Sequence, residues 1–63
     1  MTSRQQQVLT LLAQGYSSKE IADRLQVVVR TVEAHLAAIR RSLGVRHVAL
    51  LVRYAVRAGW VEP

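Results

Sequence analysis

One stretch, residues 28–43, sets the strongest limit on what this chain can fold into. Its apolar residues recur at steps of four, three and four, which is the spacing of one face of an α-helix. These apolar residues are Val32, Leu36, Ile39 and Leu43. The opposite face is small and basic and carries Arg30, Ala34, Ala37, Ala38 and Arg41. Such a helix is held by a core on one side and presents a smooth, positively charged surface on the other.

Two capping boxes predict where the first two helices begin. In this arrangement a Ser or Thr and the Glu or Gln three residues later satisfy each other's free backbone donors. Thr2 with Gln5 opens helix one, and Ser17 with Glu20 opens helix two. Glu20 and Arg24 also stand one turn apart, so we expect them to pair along helix two.

The remaining pattern predicts an all-α fold, a compact four-helix domain with one core. Glycines that can end a helix in the left-handed conformation stand at 15, 44 and 59. The predicted helices span about 3–14, 18–25, 29–43 and 47–58, with residues 26–28 as the turn between helices two and three. Helix four is expected to bury Val48, Leu51, Val52 and Ala55. Trp60 and Val61 are expected to fold back over the core.

Charge favours a polyanionic partner. The chain has 63 residues, with nine Lys and Arg against four Asp and Glu, for a net charge of +5. Eight of the nine bases are arginine, whose guanidinium group binds phosphate oxygens bidentately. No apolar run approaches the roughly 20 residues of a membrane span, so no membrane partner is expected. We expect one domain, residues 1–63, that contacts nucleic acid.

Catalytic and metal-binding functions are disfavoured. The chain has no cysteine, and His35 and His47 stand twelve residues apart without acidic neighbours at ligand spacing. The serines fit capping or surface positions, and none is paired with a base in the sequence. We therefore expect no enzyme activity, no cofactor and no metal, and a helical enzyme fragment is the least favoured function.

The layout of helices two and three is that of a helix-turn-helix, in which the second helix lies in the major groove of DNA. The residue pattern is more specific: Gly15-x-Ser17-x-Lys19-Glu20-Ile21-Ala22, then Leu25, Thr31-Val32-x-x-His35, Ile39 and Leu43-Gly44-Val45. This pattern resembles the LuxR-type (NarL/FixJ-type) DNA-binding domain of bacterial transcription regulators. The resemblance covers essentially the whole chain.

The resemblance implies a role for individual residues. The positions that correspond to base-reading residues are Glu33, Ala34 and Ala37. Those that correspond to DNA-backbone contacts are Ser17, Ser18, Arg30, Thr31, His35 and Arg41, with Val28 as a further position. Charge and position on helix three add Arg40 to the backbone set. Helix four would supply a dimer contact, and its sequence carries a suitable stripe: His47, Leu50, Tyr54 and Ala58.

Two departures from the family pattern affect the DNA surface. Val28 stands where the family usually has serine, so helix three lacks a side-chain N-cap, at an expected cost of about 1 kcal/mol. Glu33 and Ala37 stand where lysines are frequent. Glutamate can accept from cytosine N4, and alanine can contact a thymine methyl group. We therefore expect sparse base recognition, with phosphate contacts supplying most of the affinity.

The resulting prediction is a sequence-specific DNA-binding domain that forms a weak dimer. It would be the C-terminal effector domain of a longer regulator or a standalone small regulator of the bacterial cytoplasm, associated with the nucleoid when bound. A receiver or sensor domain and RNA polymerase are candidate partners. The alternative is a protein–protein interaction module of the same fold with weak or lost DNA binding.

Overall fold

The computed structural model describes residues 1–62. This part of the chain contains four α-helices. The helices are α1 (Ser3–Ala13), α2 (Ser18–Leu25), α3 (Val29–Leu43) and α4 (Val48–Arg57). The all-α prediction is confirmed, and the predicted bounds of α2 and α3 are confirmed to the residue. Helix α1 ends one residue earlier than predicted. In α4, His47 and Ala58 are the cap residues rather than the first and last helical ones.

A single apolar core holds the helices together, and α1 packs against each of the other three. The buried side chains are Val8, Leu9, Ile21, Ala22, Val32, Leu36, Ile39, Leu51 and Ala55. Trp60 and Val61 pack against this core from the C-terminal side, as predicted. Helix α3 packs on both α1 and α2, so its position is set by two neighbours.

The predicted start of α1 is confirmed by its hydrogen bonds. The Thr2 hydroxyl accepts from the Gln5 amide at 3.1 Å, and the Thr2 amide donates to Gln5 Oε1 at 3.0 Å. Gly44, with φ of 68°, ends α3 in the left-handed conformation that the sequence predicts.

The turn between α2 and α3 contains a feature that the sequence does not predict. Gln26 adopts a left-handed backbone with φ of 57° and ψ of 46°. This conformation costs roughly 1–2 kcal/mol for a residue with a Cβ atom. The Val27 amide donates to the Ala22 carbonyl at 3.0 Å across this bend. The turn therefore joins α2 to α3 in three residues without a glycine.

Two sequence predictions about side chains need correction. Val48 is 45 % exposed and Val52 is half-buried, although Leu51 and Ala55 are buried as predicted. Residues 46–50 are all exposed, so the first turn of α4 extends past the core. The Arg24 guanidinium lies over the Tyr16 ring, 4.0 Å from its centroid. Among the effects that lower the pKa of Glu20, the positive charge of Arg24 is the smallest. The expected Glu20–Arg24 pair is therefore a minor interaction.

Helix α3 begins without a side-chain cap. Val28 occupies the N-cap with an extended backbone (φ −79°, ψ 156°), and no side chain there bonds a free amide. Its own side chain is 67 % exposed, so it contributes little to the core.

Replacing Val28 by serine should therefore stabilise the domain. A hydroxyl at the N-cap accepts a backbone amide, and we expect a gain of about 1 kcal/mol in the free energy of unfolding. In a domain of this size that corresponds to a rise of about 4–8 °C in Tm. Thermal unfolding followed by circular dichroism measures it, with Val28→Ala as the matched control because alanine removes the isopropyl group without supplying an acceptor. Equal Tm values for the two variants would show that the missing cap costs nothing.

Candidate nucleic-acid interface

The candidate interface is the outer face of α3, which the core presents to solvent. Fifteen residues at 1.5 Å each give this helix a length of about 22 Å. Val32 and Ile39 are fully buried and Leu36 is 6 % exposed. Three of the four residues predicted for the buried face are therefore confirmed, whereas the fourth, Leu43, is half-buried. Because the anchored face fixes the rotation of the helix about its axis, the residues opposite it are held outward.

The predicted base-reading residues lie on this outer face. At about 100° per residue, Ala34 and Ala37 fall opposite the core and Glu33 lies at one edge of the same surface. Ala34 and Glu33 are exposed, and Ala37 is half-buried. The centre of the face is thus nearly flat, since an alanine projects only a methyl group.

Three predicted phosphate contacts surround that flat centre. Arg30 and Arg41 are exposed and lie about 11 residues, or three turns, apart along the outer face. Arg40 lies on the same edge as Glu33 and is half-buried. Its Nε atom is covered and has no hydrogen-bond partner among residues 1–62. Packing of the Arg40 stem therefore limits where its charged end can point.

Thr31 and His35 lie on the opposite edge of α3, and both are half-buried. Their backbone positions are one turn apart, so they form one border of the outer face. The sequence predicts His35 at the edge of the buried face, and its half-burial agrees with that position.

The start of α2 carries the other two predicted phosphate contacts, Ser17 and Ser18. The Ser17 amide donates to Glu20 Oε1 at 2.9 Å, and the Ser17 hydroxyl accepts from the Glu20 amide at 3.2 Å. The predicted capping box is therefore confirmed. The amide and the hydroxyl of Ser17 are thus both engaged with Glu20. An anion at this end would also meet the positive end of the α2 dipole.

The capping box lowers the pKa of Glu20 below its usual value of 4.5. The main cause is the hydrogen bond from the Ser17 backbone, followed by the one with its side chain. Each favours the ionised carboxylate, because the backbone donor at a helix N-terminus binds a negative charge better than a neutral acid.

Tyr16 and Arg24 form a contact that sequence reasoning missed. The ring and the guanidinium stack at 4.0 Å, which joins the loop after α1 to the last turn of α2. Tyr16 lies outside any helix, so no periodic pattern relates the two residues. Such a contact contributes about 0.5–1 kcal/mol where it is exposed, and it braces the helix on which α3 rests.

The four residues predicted for a dimer contact lie on a different surface, along α4. Leu50 and Tyr54 are 39 % and 40 % exposed, and His47 and Ala58 are exposed at the two ends of the helix. All four fall within an arc of about 80°. The Tyr54 ring meets Trp60 edge to face, with centroids 5.7 Å apart. Tyr54 therefore packs against Trp60 and remains partly exposed to solvent.

Other kinds of site find little support in the described residues. Residues 1–62 contain no group of three or more His, Cys, Asp or Glu side chains placed to hold a metal ion. Within the same range, none of the helices combines the length and the hydropathy needed to cross a bilayer.

Comparison with known proteins decides the family. Residues 1–55 match the sequence profile of the bacterial regulatory proteins of the luxR family. The chain belongs to the luxR family of bacterial regulatory proteins. It is therefore a DNA-binding domain of the kind that acts in transcription regulation, and the resemblance noted in the sequence is confirmed.

Similar proteins are longer than this luxR-family chain. It is 42 % identical over 62 residues to the oxygen regulatory protein NreC of Staphylococcus aureus strains JH9, JH1 and Mu3. The match covers 98 % of this chain and 29 % of each relative. The chain thus spans less than a third of the length of these relatives.

The Glu20 cap makes a testable contribution to the stability of this luxR-family domain. Because the folded-state pKa is lowered, the stabilisation is present above the unfolded-state pKa of about 4.5 and is lost as the pH falls through the lower folded-state value. Glu20→Gln keeps a capping side chain but removes the charge. Its deficit in Tm relative to the unsubstituted domain should be largest near pH 7 and should shrink towards pH 3. Glu62→Gln, which removes a carboxylate outside any helix, is the control. A deficit that does not change with pH would exclude the charged cap as the cause.

Proposed function

We propose that this domain binds specific DNA sequences by placing α3 in the major groove. The observation that carries the proposal is the outer face of α3, where methyl-sized side chains are bordered by arginines. The major groove is about 12 Å wide and admits an α-helix, and a helix that lacks bulky outer side chains can approach the base edges closely. The α2 helix would cross the DNA backbone beside it, as in other helix-turn-helix domains.

Base reading is assigned to Glu33, Ala34 and Ala37. Glu33 can accept a hydrogen bond from cytosine N4, and the alanine methyl groups can contact the methyl group of thymine. Among these three side chains only Glu33 can form hydrogen bonds, so direct recognition would involve few base pairs.

Phosphate binding is assigned to a larger set that surrounds the base-reading residues. Its members are Ser17, Ser18, Arg30, Thr31, His35, Arg40 and Arg41. The arginines supply charge, and the hydroxyl groups at the start of α2 supply neutral hydrogen bonds beside a helix dipole. Phosphate contacts of this kind position the helix and provide most of the affinity.

The proposed dimer uses His47, Leu50, Tyr54 and Ala58 of α4. Half-sites for a helix-turn-helix dimer lie about 34–36 Å apart, one turn of DNA. The Cα atoms of this domain extend over 27 × 23 × 19 Å, so two copies fit side by side on one face of the duplex. The exposed apolar area on α4 is small, and the dimer would therefore be weak without DNA.

We further propose that residues 1–63 form the DNA-binding unit of a longer bacterial transcription regulator. The much greater length of the NreC relatives supports this assignment. A receiver or ligand-sensing domain would then control the unit, and RNA polymerase would be its partner at a promoter. The regulator would act by binding alone, without catalysis, in the bacterial cytoplasm where the nucleoid lies.

The salt dependence of duplex binding tests the major-groove proposal. Arg41→Ala should weaken binding to every duplex by a similar factor and should lower the slope of log affinity against log salt by about one. Fluorescence anisotropy with a random duplex of about 30 base pairs, titrated at several salt concentrations, gives the slope. Arg57→Ala, which removes the same charge from α4, is the matched control and should leave the slope unchanged.

Equal effects of Arg41→Ala and Arg57→Ala would mean that net charge alone attracts the DNA and would refute the assigned face. No duplex binding at low salt by the folded domain would favour the alternative function, a protein–protein interaction module. The exposed Val28 would then be a candidate contact.

The dimer proposal is tested with a charge placed on the α4 stripe. Leu50→Glu should abolish cooperative binding to paired half-sites and leave binding to a single half-site nearly unchanged. Ala49→Glu introduces the same charge in the same turn, about 100° away on the helix, and should preserve cooperativity. Gel-shift titrations on one-site and two-site duplexes measure both quantities. Cooperativity that survives Leu50→Glu would place the dimer contact elsewhere.

A further inference from the structure

Three consecutive valines, Val27, Val28 and Val29, lead into α3, and only the middle one faces solvent. Val27 and Val29 are half-buried and pack against the core. The Val28 side chain is 67 % exposed, which is more than any other large apolar side chain of residues 1–62. Packing in the core therefore accounts for Val27 and Val29 but not for Val28.

The backbone on both sides of Val28 is fixed by hydrogen bonds. The Val28 carbonyl accepts from the Thr31 amide at 3.0 Å and from the Val32 amide at 3.4 Å, and these bonds form the first turn of α3. The preceding bend is closed by the bond from the Val27 amide to the Ala22 carbonyl. Because valine is branched at Cβ, its side chain also has few rotamers. The isopropyl group is therefore a preorganised apolar contact at the N-terminal end of α3.

The surroundings of Val28 belong to the proposed DNA surface. Arg30, an assigned phosphate contact, is exposed two residues further along the chain. In helix-turn-helix domains the N-terminal residues of the second helix contact base edges. An isopropyl group at this end forms no hydrogen bond, and against a phosphate it would remove water from charged oxygens without replacing the lost bonds. The apolar group that the major groove offers is the C5-methyl group of thymine.

We propose that Val28 is a specificity-determining residue that contacts the methyl group of a thymine at one end of the sequence bound by α3. The contact removes apolar surface of both partners from water, and a cytosine at the same position lacks the methyl group. This inference rests on the proposed function, since it requires α3 in the major groove. It adds a base contact beyond Glu33, Ala34 and Ala37. The side chain that leaves α3 without a cap is thereby the one that reads a base, which exchanges stability for specificity.

Replacement of thymine by deoxyuridine removes only the methyl group and therefore measures the contact. A preferred sequence is first selected from random duplexes with the unsubstituted domain, and each thymine of one half-site is then replaced in turn. We expect one replacement near the end of the half-site to weaken binding about fourfold, the effect of one buried methyl group. For Val28→Ser the same replacement should leave the affinity nearly unchanged. Fluorescence anisotropy at one fixed salt concentration gives the affinities.

Val48→Ser is the matched control for Val28→Ser. Val48 is a 45 % exposed valine at the start of α4, and serine there should leave the effect of every deoxyuridine as it was. Val28→Ser is also the variant expected to raise Tm through its new N-cap. Loss of methyl sensitivity together with a higher Tm therefore cannot result from unfolding. Val28→Ala shortens the side chain without adding a hydroxyl group and should lose the same sensitivity.

Two results would overturn the Val28 contact while leaving the proposed function intact. In the first, the unsubstituted domain and Val28→Ser respond equally to every deoxyuridine, so that no methyl group depends on Val28. In the second, Val28→Ser weakens binding to the thymine and deoxyuridine duplexes by the same factor, which would indicate a contact with the sugar–phosphate backbone. Failure of the unsubstituted domain to bind a duplex at low salt, or to select a sequence, would refute the proposed function together with this contact.

Discussion

The rest of this structure depends on the burial of one face of α3. Val32, Leu36 and Ile39 are removed from water between α1 and α2, and each such side chain contributes about 1.5–3 kcal/mol. This packing matters more than usual because α3 has no side-chain cap at its start. The same burial fixes the rotation of the helix, and therefore decides which residues can meet DNA. Stability and the orientation of the outer face of α3 thus have one physical origin.

Five of the nine basic residues lie on two surfaces of different character. Arginines on α3 border alanines, and that combination suits close approach to a polyanion with a regular groove. Arginines on α4 border an apolar groove lined by Val45, Leu50 and Tyr54 among others. An apolar floor adds little to phosphate binding but adds much to the binding of a protein segment.

Helix α1 is the element that keeps these surfaces apart. It packs against each of the other helices and carries the buried Val8 and Leu9. Helices α3 and α4 are therefore both held by their packing against α1. Two peripheral contacts join other parts of the chain: Tyr16 of the loop after α1 contacts Arg24 of α2, and Tyr54 of α4 contacts Trp60 of the C-terminal segment.

Local sequence determined the helices, the two capping boxes and the buried face of α3, because each depends on residues three or four positions apart. The outer face of α3 could be inferred for the same reason, whereas the family was recognised from the resemblance of the residue pattern. Tertiary structure alone decided that Val48 is exposed, that Arg24 stacks on Tyr16, and that Val45 lines a groove with Leu50 and Arg57. Each of these features depends on how a loop or a helix end is placed against another helix. The periodic spacing of residues in the sequence does not determine that placement. The left-handed Gln26 belongs with them, since packing of α2 and α3 must offset the cost of that backbone conformation.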